Sequence, residues 1–346
     1  MAYALHAQSI TPTLIFTGQH RHLEPNEFGL DGFPRIDLGC AGQEDPHRHV
    51  QDVTVALLPW LRDPPDLVVV QGDTSSALGG ALAAFTSAVP VAHVEAGLRT
   101  HDPLLPWPEE EYRTAIDANA DLLFAPTELA AANLRAEQVR GEIHVTGNTS
   151  IDAVLEAESR LPPASPRDKG APRILVTCHR RESWGDGLES IAAAIAELAR
   201  FACVEVVLPP NQYVADCLDR LVRPTQRVSL LPPCSHGELL RRMRDADLML
   251  SDSGGIQEEA PALGVPLLVL RDKTERPEGL ASGSAVLVGT DRQRIVDEVR
   301  RFLEDPAARA SMTRPRFPYG DGRAGERIAA MIAQWLERRS SALRMA

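Results

Sequence analysis

The sequence predicts an α/β protein built from two doubly wound, Rossmann-like parallel sheets, and three observations carry that expectation. Short β-rich runs alternate with helical patterns from one end of the chain to the other, the signature of βαβ units. At 346 residues the chain exceeds the roughly 250–300 residues at which a single hydrophobic core stops growing, so two domains are expected. A stretch rich in proline and small or polar residues, from Leu161 to Pro172, reads as a linker between comparable halves. The domains are therefore expected at 1–160 and 161–346.

In order, the first half offers strands at Thr13 to Phe16 and Leu67 to Val70. The uncharged run Thr74 to Ala92 is broken by Gly79, Gly80, Thr86, Ser87 and Pro90, so it reads as a buried helix leading into the strand Val91 to Val94, not as a membrane span. Leu122 to Ala125 and Ile143 to Thr146 complete this half. The second half offers strands at Ile174 to Thr177, Val204 to Leu208, Val228 to Leu231, Leu248 to Leu250, Pro266 to Leu270 and Ala285 to Val288, with amphipathic helices such as Leu188 to Arg200 and Glu238 to Arg244 between them. Each half repeats one phrase, Ala-Asp-Leu before a strand and then a turn into a helix, at Ala120-Asp121-Leu122 and Ala246-Asp247-Leu248. Two related domains with a ligand between them, at the carboxyl ends of the strands, are the simplest account.

Composition narrows the function. Hydrophobic residues make up 44% and charged residues 24%, which excludes a disordered, fibrous or small disulfide-stapled chain. A net charge of −12 argues against nucleic acid or an anionic membrane as partner, while leaving room for a local phosphate pocket. The 5 cysteines are odd in number, scattered and never in a CxxC pair, so reduced thiols and no zinc site are expected. With no basic-then-apolar leader in Met1 to Ile10, the expected location is the cytoplasm.

The chemistry-bearing residues gather at strand ends. Gln71-Gly-Asp73-Thr leaves a carboxylate that is either a helix cap or a reactive group. Glu95 in His93-Val-Glu-Ala-Gly-Leu-Arg-Thr occupies the same position after the next strand, and two acids at adjacent strand ends suit general acid–base work. Glu109 and Arg113 are i and i+4 on a helix, a spacing that also describes a surface ion pair. In the second half, Ser251-Asp-Ser253-Gly254-Gly255 opens a helix whose first amides form an anion site suited to a diphosphate. Glu259 can accept from ribose hydroxyls, Arg276 can add positive charge, and His179 with its neighbouring arginines can serve a phosphate. Asp245-Ala-Asp247 precedes its strand and reads as helix-end polarity; His47-Arg-His49 reads as a solvated loop.

Taken together, Gln71-Gly-Asp-Thr, His93-Val-Glu-Ala-Gly-Leu-Arg-Thr, Pro108-Glu-Glu, Thr146-Gly-Asn-Thr, His179-Arg-Arg-Glu-Ser, Ser251-Asp-Ser-Gly-Gly-Ile-Gln-Glu-Glu-Ala-Pro, Thr274-Glu-Arg-Pro-Glu and Pro318-Tyr-Gly-Asp-Gly resemble the bacterial non-hydrolysing UDP-N-acetylglucosamine 2-epimerase family, in order along nearly the whole chain. The resemblance implies a GT-B fold with an interdomain cleft, the last helix (about 323–340) packing back on the first domain. It implies interconversion of UDP-GlcNAc and UDP-ManNAc for cell-surface polysaccharide precursors, by a homodimer without cofactor or metal. Asp73, Glu95 and Glu109 match the family's catalytic acids and Arg113 a functional arginine beside them. His179 matches both catalytic and UDP-binding sets, and Ser253, Gly254, Gly255, Glu259 and Arg276 match UDP-binding positions. Gln19 and His20 match a pair near a regulatory site.

Departures from the family pattern accompany these matches. Relatives begin with a strand and a Gly-Thr-Arg-Pro-Glu loop, whereas Met1 to Gln8 resembles the end of the helix after that loop; either the start is misassigned or the chain lacks these parts. The histidine of a family Pro-x-His segment is missing at Leu208-Pro-Pro-Asn-Gln-Tyr-Val, Cys178 replaces a usual glycine, and Cys234-Ser-His-Gly lies in a loop that commonly helps hold uracil. A hydrolysing epimerase, an epimerase of another UDP-2-acetamido sugar, and a silent UDP-sugar-binding protein remain alternatives.

Overall fold

In the computed structural model, residues 1–19, 29–163, 170–180, 183–222 and 225–345 are described. The chain divides into two units, one formed by Met1–Thr149 with Gly320–Ala346 and the other by Ser150–Tyr319. Every strand pairing described is parallel.

The first unit contains α1 (Ala2–Ala7), β1 (Leu14–Phe16), β2 (Arg35–Asp37), α2 (Pro46–Leu57), β3 (Val68–Gln71), α3 (Ser75–Thr86), β4 (Val91–Val94), α4 (Glu109–Asp117), β5 (Leu122–Ala125), α5 (Glu128–Ala136) and β6 (Glu142–Val145). Its main sheet has the order β3-β4-β5-β6, and β1 pairs with β2 in a separate two-stranded sheet. The strand β2 has no counterpart in the sequence reading, because three residues with charged Arg35 and Asp37 at the ends carry too little apolar signal. Residue alternation sends successive side chains to opposite faces of the sheet. Val91, Leu123 and Ala125 join one apolar cluster with α2 and α3, whereas Ala92, Val94, Leu122 and Phe124 join another with Leu5 of α1. That second cluster is closed by Ile328, Ala329 and Ile332 of the long terminal helix Ala324–Met345.

The second unit begins with α6 (Thr149–Ser159) and continues through β7 (Arg173–Thr177), α7 (Asp186–Leu198), β8 (Cys203–Val207), α8 (Gln212–Val222), β9 (Val228–Leu231), α9 (His236–Asp245), β10 (Leu248–Ser251), α10 (Gly254–Leu263), β11 (Leu267–Val269), α11 (Pro277–Ala281), β12 (Ala285–Leu287), α12 (Arg292–Glu304) and α13 (Pro306–Met312). The terminal helix is α14. The division falls ahead of α6 instead of at the proline-rich stretch, because Ile151 and Val154 pack into a core with Leu175, Met249 and Val269. Of that stretch, 164–169 lie outside the described residues. The sheet order is β12-β11-β10-β7-β8-β9, with Ile174, Val176, Leu248 and Leu250 in one core and Leu175 and Met249 in the other. A sheet with cores on both faces and a reversal of strand order at β7/β10 is doubly wound, and ligands in such sheets bind at the reversal.

The repeated Ala-Asp-Leu phrase has a structural explanation. Asp121 accepts the amide of Val91 at 2.9 Å and Asp247 that of Arg173 at 2.9 Å, so each aspartate ties its own strand's start to the neighbouring strand. Among the described residues, no helix is long and apolar enough to cross a membrane.

Candidate active site

In the first unit, β3 ends at Gln71 and the chain turns through Gly72 at φ +69°. The next helix is capped by Thr74, whose hydroxyl accepts from the Ala77 amide. The cap role open to Asp73 is thus taken by its neighbour. Asp73 instead accepts from Nε of Arg113 at 3.0 Å and also pairs with Nη2. On the adjacent strand, Glu95 holds φ +72°, a conformation unfavourable for a residue with a Cβ and one that marks functional turns. Asn148 donates to its Oε1 at 3.2 Å. A Cβ on Gly72 would stand 3.0 Å from Glu95 Oε2, so the Glu95 carboxylate lies over the turn that carries Asp73.

Glu109 opens α4 and is half-buried. The surface-pair reading of Glu109 and Arg113 fails, since the Arg113 side chain is 2% exposed. Arg113 bridges Asp73 to Glu110, whose Oε2 accepts from Nη1 at 2.9 Å. Glu110 also takes the amides of Thr100 and His101 at 2.9 Å each. Glu110 and Asn148 were not singled out in the sequence; the i, i+3 spacing to Arg113 was the available signal for Glu110. Gln19 accepts from Ser76 Oγ at 2.6 Å, which fastens it to the start of α3, and His20 lies outside the described residues. His47-Arg-His49 is not a solvated loop. Asp45 caps α2 over these residues, and buried His49 meets Ser75 Oγ at 2.7 Å and the Cys40 carbonyl at 3.0 Å.

In the second unit, the site residues flank the strand-order reversal. Buried Asp252 accepts the amides of His179 at 2.9 Å and Arg180 at 2.8 Å. Its Oδ1 is 3.2 Å from Nδ1 of His179, whose side chain is 43% exposed. Burial alone would raise the Asp252 carboxyl, but the His179 ring and the two amides hold it below its ordinary value. Burial, aided by Asp252, pushes the Cys178 thiol well up. Ser253 stands at the N-cap of α10 without a side-chain cap bond, and α10 opens with Gly254 and Gly255. A Cβ on Gly254 would meet Arg276 Nη1 at 2.8 Å, so the guanidinium lies directly against the helix start.

Arg276 is itself anchored by acids. Its Nε donates to Glu258 at 2.6 Å and its Nη1 to Glu275, and Glu275 also pairs with Arg271 at 3.0 Å. Among the described residues, these contacts hold the guanidinium in place and fix the direction of its donors. Glu259 is met by His236 Nε2 at 3.3 Å, and that hydrogen bond raises His236 above its ordinary value. The contacts of Glu258 and His236 join segments far apart in the chain, so no local sequence signal marks them.

Carboxylates over the ends of adjacent strands in one unit, and an anion-ready helix start at the strand reversal of the other, describe an enzyme of the proton-transfer class. The sequence pattern of the UDP-N-acetylglucosamine 2-epimerase family matches residues 3–333. The Escherichia coli K12 UDP-N-acetylglucosamine 2-epimerase is 40% identical over 356 aligned positions, covering 95% of this chain and 93% of that protein. The Yersinia pestis enzyme is 43% identical, covering 90% and 88%. The structure of Neisseria meningitidis UDP-GlcNAc 2-epimerase bound to UDP-GlcNAc superposes with TM-score 0.90 at 34% identity, covering 96% of each chain. The S. aureus MnaA–UDP structure gives 0.90 at 33%, covering 97% and 92%. The chain belongs to the UDP-N-acetylglucosamine 2-epimerase family, whose enzymes are isomerases.

Proposed function

We propose that this chain inverts C2 of UDP-N-acetylglucosamine, interconverting it with UDP-N-acetylmannosamine without net hydrolysis. The observation that carries the reading is the Glu95 carboxylate held at positive φ over the Gly72 turn beside Asp73. The C2 proton of the sugar is not acidic while the anomeric carbon keeps its bond to UDP. Loosening that C1–O bond develops oxocarbenium character at C1, which makes the C2–H electrons available to form a C1–C2 double bond. UDP and the C2 proton leave on opposite faces, giving UDP and 2-acetamidoglucal. Re-addition of UDP to C1, with a proton delivered to the other face of C2, yields the epimer; atoms and charge balance over the cycle.

Each half of this chemistry has its residues. The amides of Ser253, Gly254 and Gly255, with donors from Arg276 and His179, stabilise the departing diphosphate, and Glu259 accepts from the ribose. Removal and delivery of the proton on two faces requires more than one carboxyl group, and Asp73, Glu95 and Glu109 fill those roles, with Arg113 fixing Asp73. The nucleotide sugar is the partner in this reading, and the working assembly is a homodimer in the cytoplasm.

The test is incubation with UDP-GlcNAc in heavy water followed by NMR. UDP-ManNAc carrying deuterium at C2 is expected. Free N-acetylmannosamine accumulating with UDP would replace the reading by a hydrolysing reaction. Binding of UDP by calorimetry with no deuterium at C2 would reduce the chain to a nucleotide-sugar binder.

A further inference from the structure

Behind the acids of the first unit lies a buried charged cluster that the proposed chemistry does not use directly. His93, the third residue of β4, has no exposed surface and sits between two oxygens. Its Nδ1 is 2.6 Å from Asp117 Oδ1, and its Nε2 is 2.9 Å from the carbonyl of Gly72. A carbonyl oxygen is an acceptor only, so Nε2 carries a proton. Asp117 is fully buried, and its Oδ2 accepts the Gly97 amide at 3.0 Å and faces Arg99 Nη1 at 2.8 Å. An amide and a guanidinium on that oxygen favour the carboxylate, so Nδ1 carries a proton as well.

We infer that His93 is a buried imidazolium that positions the acids Asp73 and Glu95 by clamping together the turns that follow β3 and β4. One ring nitrogen grips Gly72, the residue before Asp73. Through Asp117 the other grips Gly97, two residues after Glu95. Both gripped glycines stand at positive φ, +69° and +86°, as does Glu95 at +72°. The Gly72 amide in turn donates to Val94, at 3.0 Å. A neutral imidazole carries only one N–H and cannot donate from both ring nitrogens, so the clamp depends on the charge and on the two-nitrogen geometry together. The inference rests on the assignment of Asp73 and Glu95 to the reaction.

The charged groups around the ring agree with this state. They are Asp117 from α4, Arg99 beyond Asp117 with Glu137 on its far side, and Glu95 at the end of the same strand. Burial by itself would lower the basicity of His93, but the charge and hydrogen bond of Asp117, the Gly72 carbonyl and Glu95 raise it above its ordinary value. By the same Coulombic attraction the imidazolium favours Glu95 as its carboxylate.

The direct test is ring ¹⁵N NMR of the unaltered protein, with His93 assigned through its side chain to its backbone. Both nitrogens are expected at protonated shifts at pH 8, well above the ordinary histidine value of about 6.5. A neutral tautomer of His93 at that pH overturns the inference. The kinetic test is His93→Gln, for which kcat is expected to fall about 10²-fold, the scale of a misplaced catalytic group. KM is expected to stay within about twofold, since the nucleotide is held elsewhere. The acidic limb of kcat is expected to move to higher pH, because a carboxylate that has lost a nearby cation protonates sooner. An unchanged kcat, or a loss equal at every pH, overturns the positioning role. If Asp73→Asn and Glu95→Gln instead retain full turnover, the site assignment fails while the NMR result on His93 stands by itself.

Discussion

Replacing Tyr319 by phenylalanine tests how the second unit holds its arginine. The Tyr319 ring is fully buried. Its hydroxyl donates to the carbonyl of Arg276 at 2.8 Å and accepts the amide of Gly279 at 2.8 Å. Burial, with Glu278 nearby, pushes the phenol far above its usual range, so the hydroxyl keeps its proton at any working pH. Phenylalanine preserves the apolar ring and its packing but strands one buried carbonyl and one buried amide. Each stranded group costs about 1–3 kcal/mol, so the pair costs roughly 2–6 kcal/mol, borne mostly by the segment from Arg276 to Gly279. Two kcal/mol corresponds to a factor of roughly 30 in an opening equilibrium. Native-state hydrogen exchange read at the Gly279 amide should therefore accelerate by at least about that factor. Weaker UDP binding should accompany it, because Arg276 loses the fixed backbone that aims it at Gly254. Exchange at Gly279 unchanged from the parent, together with an unfolding free energy within about 0.5 kcal/mol of it, would refute the reasoning.

Three further outcomes follow from the same geometry. Asp73→Asn should lower turnover by at least about 10²-fold while calorimetry shows UDP binding preserved, because the diphosphate donors lie in the second unit; full turnover would remove Asp73 from the mechanism. Gly97→Ala should destabilise the first unit by about 3–5 kcal/mol in urea unfolding, since the position holds φ +86° and a Cβ would stand 2.8 Å from the Ala130 carbonyl carbon and 2.9 Å from Leu134; an ordinary surface-like loss below about 1 kcal/mol would contradict that packing. Stability should also peak between about pH 4 and pH 6.5. Asp117 and Asp252 have lowered values in the fold, so their contribution is present above their unfolded value and is lost as pH falls through the folded one. His93 has a raised value, so its contribution is full below about pH 6.5 and is lost as pH rises through the folded value. Unfolding midpoints across this range check both slopes, and His93→Gln should flatten the alkaline one.

Much of the architecture was legible because it is written locally. Short β-rich, largely continuous apolar runs, the mark of parallel strands covered on both faces, located every strand but β2 to within a residue or two. The same local signals placed Asp73 and Glu95 after adjacent strands, and Ser253 to Gly255 at the start of a helix, where free amides follow from helix geometry itself. The expectation of matched halves also came from local phrases, whose aspartates prove to bind neighbouring strand starts. Two errors had the same origin in reverse. His47-Arg-His49 looks polar in isolation but folds onto α2 with His49 buried, and the proline-rich stretch looks like a boundary although α6 ahead of it already packs with the second unit.

By itself, then, the sequence determined the α/β class, the strand positions, the acid-bearing turns and the anion-ready helix start, since each depends on residues adjacent along the chain. Tertiary structure alone decided which of these meet. It brought Arg113 to Asp73 and Glu110, set two carboxylates against Arg276, and returned α14 to the first sheet. It also joined His93 to Asp117 and Gly72. Such contacts depend on the order of strands in the sheet and on which face each helix covers, and that order arises from burying all the apolar faces at once, a condition no local stretch of sequence contains.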